Sequence, residues 1–273
     1  MIISIINQAL ILLPLIVGAY IALSLLKLPD FSLESSYLFG AVSAYLAGDI
    51  PLPIVIACAL GGGAIVGCIV SSLNQFMKLP FLLAAVITNG LFHGLTQLVL
   101  GTSLKSYKLA IGIPEMMVFA MICTSLSLAI YLVLKSPFGY SLAIYGNNPC
   151  FFNHHGISGK YVVIVGTLLA HCCAGLSGFM FALSNGLVDL TMNYGIILTS
   201  ITALILGKGI IRTHRPSLLV PLLGLFAFLT AQQTLLQLGL NLRYFNAFQA
   251  IFILITLCIV FQKKNVQIDH LGV

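Results

Sequence analysis

The stretch Asp30 to Gly48, DFSLESSYLFGAVSAYLAG, returns at Asp189 to Gly207 as DLTMNYGIILTSITALILG. The two align without a gap, each nineteen residues long and each running from an aspartate to a glycine. Ala44 coincides with Ala203, and other pairs exchange like for like: Phe31 with Leu190, Ser32 with Thr191, Leu33 with Met192, Val42 with Ile201, Ser43 with Thr202. Apolar stretches resemble one another by chance. Hydrophobicity does not, however, explain the shared aspartate start or the paired hydroxyl positions. The segment is read as a duplication, and internal symmetry of this kind belongs to membrane transporters whose two halves surround a pathway.

Composition points the same way. Of the 273 residues, 60% are hydrophobic and only 7% charged, and the mean hydropathy of +1.11 lies well outside the range of soluble domains. The net charge of +6 would elsewhere suggest nucleic acid. Here the cations sit singly at the ends of apolar runs, as topology signals do, with no basic-aromatic interleaving. Nucleic acid is therefore excluded as a partner, and the lipid bilayer is the expected surroundings.

The expected fold is all-α and polytopic, with about nine transmembrane helices at 5–26, 33–47, 52–73, 80–100, 113–134, 161–181, 194–211, 216–236 and 244–261. The second and seventh are short for a hydrocarbon core of about 30 Å at about 1.5 Å per residue. They are also the repeated segments. Short helices at matching places in two halves are the best sequence pointer to a substrate site. Residues 1–273 then form one membrane domain, with half-repeats at 5–134 and 161–261 joined by the polar loop 135–160.

Placing that loop in the cytoplasm puts Lys27, Lys78, Lys135, Lys160, Lys208, Arg212, Arg215, Lys263 and Lys264 inside. Only Lys105, Lys108 and Arg243 fall outside, a clear positive-inside bias. The amino terminus is expected outside and the carboxyl terminus inside. The two repeated spans then run in opposite directions, giving an inverted repeat. The first apolar stretch has no preceding Lys or Arg and reads as a retained span.

Chemistry-bearing motifs are absent from the sequence. There is no GxxxxGK[ST], HExxH, CxxC or GxSxG, and six acidic residues leave few acid–base candidates. A non-catalytic chain with no metal and no cofactor is expected, and ATP-driven transport would need an ATPase on another polypeptide. Cys172-Cys173 beside His171 reads as packing, because adjacent residues point to different sides of a helix. Gly63 and Gly67 have the spacing of close helix contact in lipid.

The loop between Lys135 and Lys160, SPFGYSLAIYGNNPCFFNHHGISG, carries more apolar surface than a free loop exposes. It reads as a docking surface for a partner, or else as a segment lying on headgroups. Together with DFSLESS (Asp30 to Ser36), it resembles the permease subunits of ABC importers in the branched-chain amino acid and ribose permease superfamily. The nearer likeness is to a branch associated with aromatic amino acid uptake. That branch has Asp-Leu-Ser-x-Glu-Gly-Ser after its first span and G-x-x-x-R-A-x-G-x-N-P, then Gly-Ile, in its loop. Gly139, Gly146, Asn148, Pro149, Gly156 and Ile157 fit. Ala143 replaces the usual arginine, Ser35 replaces a glycine, and Phe151 and Phe152 replace small residues, which remodels the loop toward apolar packing.

The resemblance, extending over nearly the whole chain, implies a bacterial cytoplasmic (inner) membrane protein. Its expected partners are an ABC ATPase subunit that binds ATP, a soluble or lipoprotein substrate-binding protein, and a second permease copy. It also implies that Gly139, Tyr145, Gly146, Asn148, Pro149, Phe151 and Gly156 belong to the element that couples to the ATPase.

Pathway candidates come from polar groups in apolar spans, which are costly and therefore informative. Asn89, His93 and Gln97 recur at i, i+4 and i+8 on one helix face. Glu34 and Ser36 open the first repeat and Asn193 the second. Asp30 and Asp189 read as helix caps, and Gln232, Gln233, Thr234 and Gln237 are weaker candidates. The alternatives are interhelical bonding for the polar stripe, an ion-coupled secondary transporter for the chain, and an assembly protein without a pathway. Glu34 would be the main carboxylate available to carry a proton.

Overall fold

In the computed structural model, residues 2–48, 50–109, 114–155, 158–211, 215–239 and 246–256 are described. Helix α1 (Ile2–Ala19) runs on into a π-helical turn at Tyr20–Leu25. It is followed by α2 (Leu33–Ala47), α3 (Leu52–Gln75), α4 (Phe81–Leu100), the short strand β1 (Leu104–Ser106) and α5 (Glu115–Lys135). Two loop helices, α6 (Pro137–Asn147) and α7 (Cys150–His154), precede α8 (Lys160–Asn185), strand β2 (Leu187–Asp189), α9 (Ile196–Ile210) and α10 (Leu219–Gln237). A last apolar helix, α11, covers Asn246–Thr256.

Each expected span falls on a helix, but nine full crossings are more than the described residues show. Six are long and apolar enough to cross: Ile3–Leu25, Leu52–Gln75, Phe81–Leu100, Glu115–Lys135, Lys160–Asn185 and Leu219–Gln237. Helices α2 and α9 have 15 residues each, or about 22 Å. They are the repeated segments, and neither reaches across a bilayer alone. Part of the expected span 244–261 lies outside the described residues, as do Arg212, Arg243, Lys263 and Lys264.

Helix ends follow from sequence. Pro51, Pro80 and Pro114 stand immediately before α3, α4 and α5 with φ between −54° and −51°, the value the ring imposes. Lys27-Leu28-Pro29 and Lys78-Leu79-Pro80 end the preceding helices in the same way. Both lysines take left-handed φ (55° and 56°), and the next N–H reaches back to a carbonyl six residues earlier: Leu28 to Ala22 at 3.0 Å, Leu79 to Leu73 at 3.3 Å. The carbonyls of the last turn are thereby satisfied, and the proline blocks continuation.

Helix α8 is the central post, packed by α1, α2 and α3. Glycine makes the approach possible. A Cβ on Gly178 would lie 1.8 Å from the Tyr37 carbonyl oxygen, and one on Gly63 would lie 2.2 Å from that of His171. Backbones this close are the small-residue packing expected for Gly63 and Gly67 in lipid. Cys173 is buried against α1 beside Gly18, and Cys172 is half-buried.

A two-stranded antiparallel sheet was not expected from sequence. β1 pairs with β2 in the register Leu104↔Asp189, Lys105↔Val188, Ser106↔Leu187. It ties the connection after α4 to the one after α8, so both lie at one end of the bundle. Lys27 Nζ donates to Asn147 Oδ1 at 2.6 Å, which places the end of α1 against the loop helices.

Candidate functional site

The first turn of α2 reaches three other helices through three polar side chains. Asp30 Oδ1 accepts from the Ser32 N–H at 3.0 Å and from the Ser32 hydroxyl at 2.5 Å, forming a turn that launches the helix. Ser32 Oγ also lies 3.0 Å from His171 Nε2 on α8. The Ser35 hydroxyl donates to Asn89 Oδ1 on α4. The Glu34 carboxylate accepts from the backbone N–H of Ile197, in the first turn of α9. A carboxylate there answers both an unpaired amide and the positive end of the helix.

The second copy opens alike. Thr191 N–H donates to Asp189 Oδ1 at 2.9 Å, the counterpart of the Ser32–Asp30 bond. Gly195, at φ 81°, then turns the chain into α9. Asn193, which aligns with Glu34, is 5% exposed, and its Oδ1 has no hydrogen-bond partner. Contact between Glu34 and the start of α9 brings the openings of the two repeated segments together. Ser36 takes no part in this meeting. It is fully buried and bonds back to the Ser32 carbonyl at 3.4 Å.

The stripe on α4 divides. Asn89 is half-buried and held by Ser35, whereas His93 and Gln97 are exposed on the outer face of the helix. Gly90 and Gly94 flank them, with open space where a Cβ would stand. Thr96 is turned inward and satisfied by the Phe92 and His93 carbonyls, each at 2.8 Å.

In the loop, Gly139 makes the turn from α5 to α6 tight, since a Cβ there would sit 2.5 Å from the Leu134 backbone. Gly146 rests on the π-helical turn, 2.0 Å from the Leu25 carbonyl oxygen to a would-be Cβ. Asn148 caps α6, its N–H bonded to Ile144 O at 2.8 Å. Pro149 leads into α7, and Gly156 lies outside the described residues. Tyr145 is half-buried, packed on Phe152 with ring centroids 6.0 Å apart. Burial pushes its hydroxyl above the ordinary tyrosine value, and a hydrogen bond with Gln75 partly offsets the shift. Phe152 is turned into the core, whereas Tyr140, Ile144 and Phe151 face outward.

Gln232, a weaker candidate from sequence, lines a polar cavity of about 370 Å³ between α1, α8 and α10 whose other polar lining, Ser4, Asn7, Gln8, Ser184 and Asn185, sequence reasoning missed. Asn7-Gln8 interrupting the first apolar run was the available signal. It also passed over His171 except as a neighbour of the cysteines. A histidine at helical spacing from Thr167 shows nothing of a partner 141 positions away.

Comparison with known proteins gives a coherent picture. The family model described as branched-chain amino acid transport system / permease component matches residues 1–257. A tyrosine transport system permease protein of Clostridioides difficile (strain R20291) is 29% identical over 216 residues, 76% of this chain and 72% of that one. An uncharacterized protein of Rickettsia prowazekii (strain Madrid E) is 29% identical over 220 residues, 76% of this chain and 77% of that one. No solved structure matches the chain.

Proposed function

The chain belongs to the branched-chain amino acid transport system permease family, and from that premise we propose how it moves its solute. It is a non-catalytic, multi-pass membrane subunit of an importer for amino acids or similar solutes. Our reading of the substrate is an aromatic amino acid, supported by the tyrosine permease relative. The pathway runs between two copies of the chain, lined by the outer face of α4. The observation that carries this is the exposure of His93 and Gln97 in an apolar helix. Facing hydrocarbon, such groups cost free energy; facing a second copy across a wet seam, they bind a polar solute. Asn89 marks the inner edge of that seam, and Ser35 fixes its amide.

The openings of α2 and α9 form the moving joint. The half-repeats 5–134 and 161–261 rock about it as two related halves of one domain, with Glu34 and Asn193 at their meeting point. The partner ATPase binds ATP and docks on the outward face of α6 and α7, where Tyr140, Ile144 and Phe151 are exposed. A soluble or lipoprotein binding protein delivers the solute at the opposite end, where β1 and β2 pair. In this reading Lys27, Lys208 and the loop helices are cytoplasmic, in a bacterial inner membrane, with the amino terminus outside. Positive-inside placement of the lysines supports that orientation.

The test is uptake of labelled tyrosine and leucine into proteoliposomes holding the chain with its ATPase and binding protein. ATP-dependent tyrosine uptake is expected. Uptake driven by a proton gradient without ATP would overturn the reading in favour of ion coupling.

A further inference from the structure

Helices α9, α10 and α11 border a second cavity, of about 240 Å³, whose character is the opposite of the polar one beside it. Phe228 on α10 and Phe248 and Phe252 on α11 line it with rings, and Leu206 and Leu235 add branched carbon. One buried polar group breaks the pattern. Gln249, only 3% exposed, lines this cavity, and its Oε1 has no hydrogen-bond partner. A neighbour fixes the orientation of that amide. The Thr199 hydroxyl donates to the Gly195 carbonyl at 3.2 Å, so its oxygen accepts from Gln249 Nε2 at 3.3 Å and Oε1 is left as the free end.

An acceptor unpaired out of water costs free energy, and a hydrocarbon chain lying in the cavity would leave it unpaired. An aromatic ring that carries a hydroxyl satisfies both parts of the lining. Its faces pack on phenylalanine and leucine, and its one proton goes to Oε1. Apolar cavities of about 150 Å³ already admit benzene, so a single ring has room. Gln232 lines both this cavity and the polar one between α1, α8 and α10. The polar cavity is bordered by the half-buried Asn7 and by Gln8 and Ser184, with no charged side chain among its described lining residues. Carboxamides offer oxygen to an ammonium and N–H to a carboxylate alike, which suits a head group whose two charges cancel. A ligand with net charge would meet no counter-charge there.

We propose that each protomer holds a hydroxylated aromatic amino acid across these two cavities, apart from the α4 seam. The ring lies in the apolar cavity with its phenol donating to Gln249 Oε1. The ammonium and carboxylate lie in the polar one, among the amides of Asn7, Gln8 and Gln232. This site rests on the reading of an aromatic amino acid as the solute, and it makes tyrosine the preferred one. Phenylalanine fills the same volume but leaves Oε1 unpaired, so it binds more weakly.

The full chain in neutral detergent is titrated with tyrosine, phenylalanine and p-cresol, and binding is read by saturation-transfer NMR. Tyrosine is expected to bind roughly fivefold to tenfold more tightly than phenylalanine, the effect of one hydrogen bond to a buried acceptor. Gln249→Leu is expected to bind the two equally, and its retained phenylalanine binding shows that the fold is intact. Asn7→Leu weakens tyrosine and phenylalanine roughly fivefold and leaves p-cresol, which has no head group, at the wild-type level. An undiminished preference for tyrosine in Gln249→Leu, or undiminished tyrosine binding in Asn7→Leu, would overturn the proposal. So would a wild type that binds no tyrosine, which leaves the apolar cavity to acyl chains. Tyrosine uptake by proteoliposomes without this binding sinks the site alone, and this binding without uptake sinks the transport reading alone.

Discussion

His171 Nε2 on α8 lies 3.5 Å from Asp30 Oδ2 at the entry to α2, and both side chains are wholly withdrawn from solvent. Ser32 sits between them, and the Thr167 carbonyl 2.8 Å from Nδ1 can only accept, so that nitrogen carries a proton. If Ser32 donates to Asp30, then Nε2 must donate to Ser32, and the ring is an imidazolium facing a carboxylate. If Ser32 donates to Nε2 instead, Asp30 must supply the proton between them. Either way the trio is neutral as a unit, which is how an acid is carried inside an apolar bundle.

Removing one partner is therefore worse than neutralising the other. His171→Ala strands the Asp30 carboxylate and should cost about 3–5 kcal/mol. Asp30→Asn keeps an acceptor for Ser32 and should cost clearly less. Thermal melting in detergent ranks the two, and equal melting points would show that the pair contributes no electrostatic coupling.

The exposed half of the α4 stripe should meet a second copy. Single cysteines in place of Gly90, Gly94 or Gln97 are expected to cross-link as dimers under mild oxidation in membranes. Cysteine at Ala85, which is buried in the protomer, should not. Asn89→Leu or His93→Leu should lower uptake while leaving assembly intact. Uptake at the wild-type rate in both would remove α4 from the pathway.

Outward and inward aromatic residues in the loop should behave differently. Phe151→Asp and Ile144→Asp place charge on an exposed surface and should release the ATPase in a pull-down without changing melting. Tyr145→Asp breaks packing on Phe152 and should lower the melting temperature as well. Retained association in the first two variants would mean that the partner docks elsewhere.

Close backbone approach makes Gly178 sensitive to size. Its Cβ would stand 1.8 Å from the Tyr37 carbonyl oxygen, so Gly178→Val must separate α2 from α8. A loss of about 1–3 kcal/mol or more is expected. Gly61→Val, where nothing lies within 4 Å of the would-be Cβ, is the control and should melt near wild type.

Sidedness is testable independently. Cysteines replacing Lys27 and Lys208 should react with an impermeant maleimide from one face, and cysteine at Lys105 from the other. The hydrogen bond from Lys27 to Asn147, which shares a cleft with Lys208, requires the first two to agree.

Local sequence determined much of this protein by itself. Apolar run lengths located the helices, proline and Lys-Leu-Pro punctuation ended them, and the paired aspartates marked two segments that begin with the same turn. These are short-range effects, written in neighbouring residues. Tertiary packing decided what each helix face meets. His93 and His171 both lie in apolar helices at helical spacing from hydroxyl residues, yet one faces outward and the other is sealed against Asp30. Phe151 and Phe152 are adjacent and identical, and only the second enters the core. Periodicity assigns a residue to a face, but the free energy of that face depends on the helix packed against it, which the chain specifies only once it has folded.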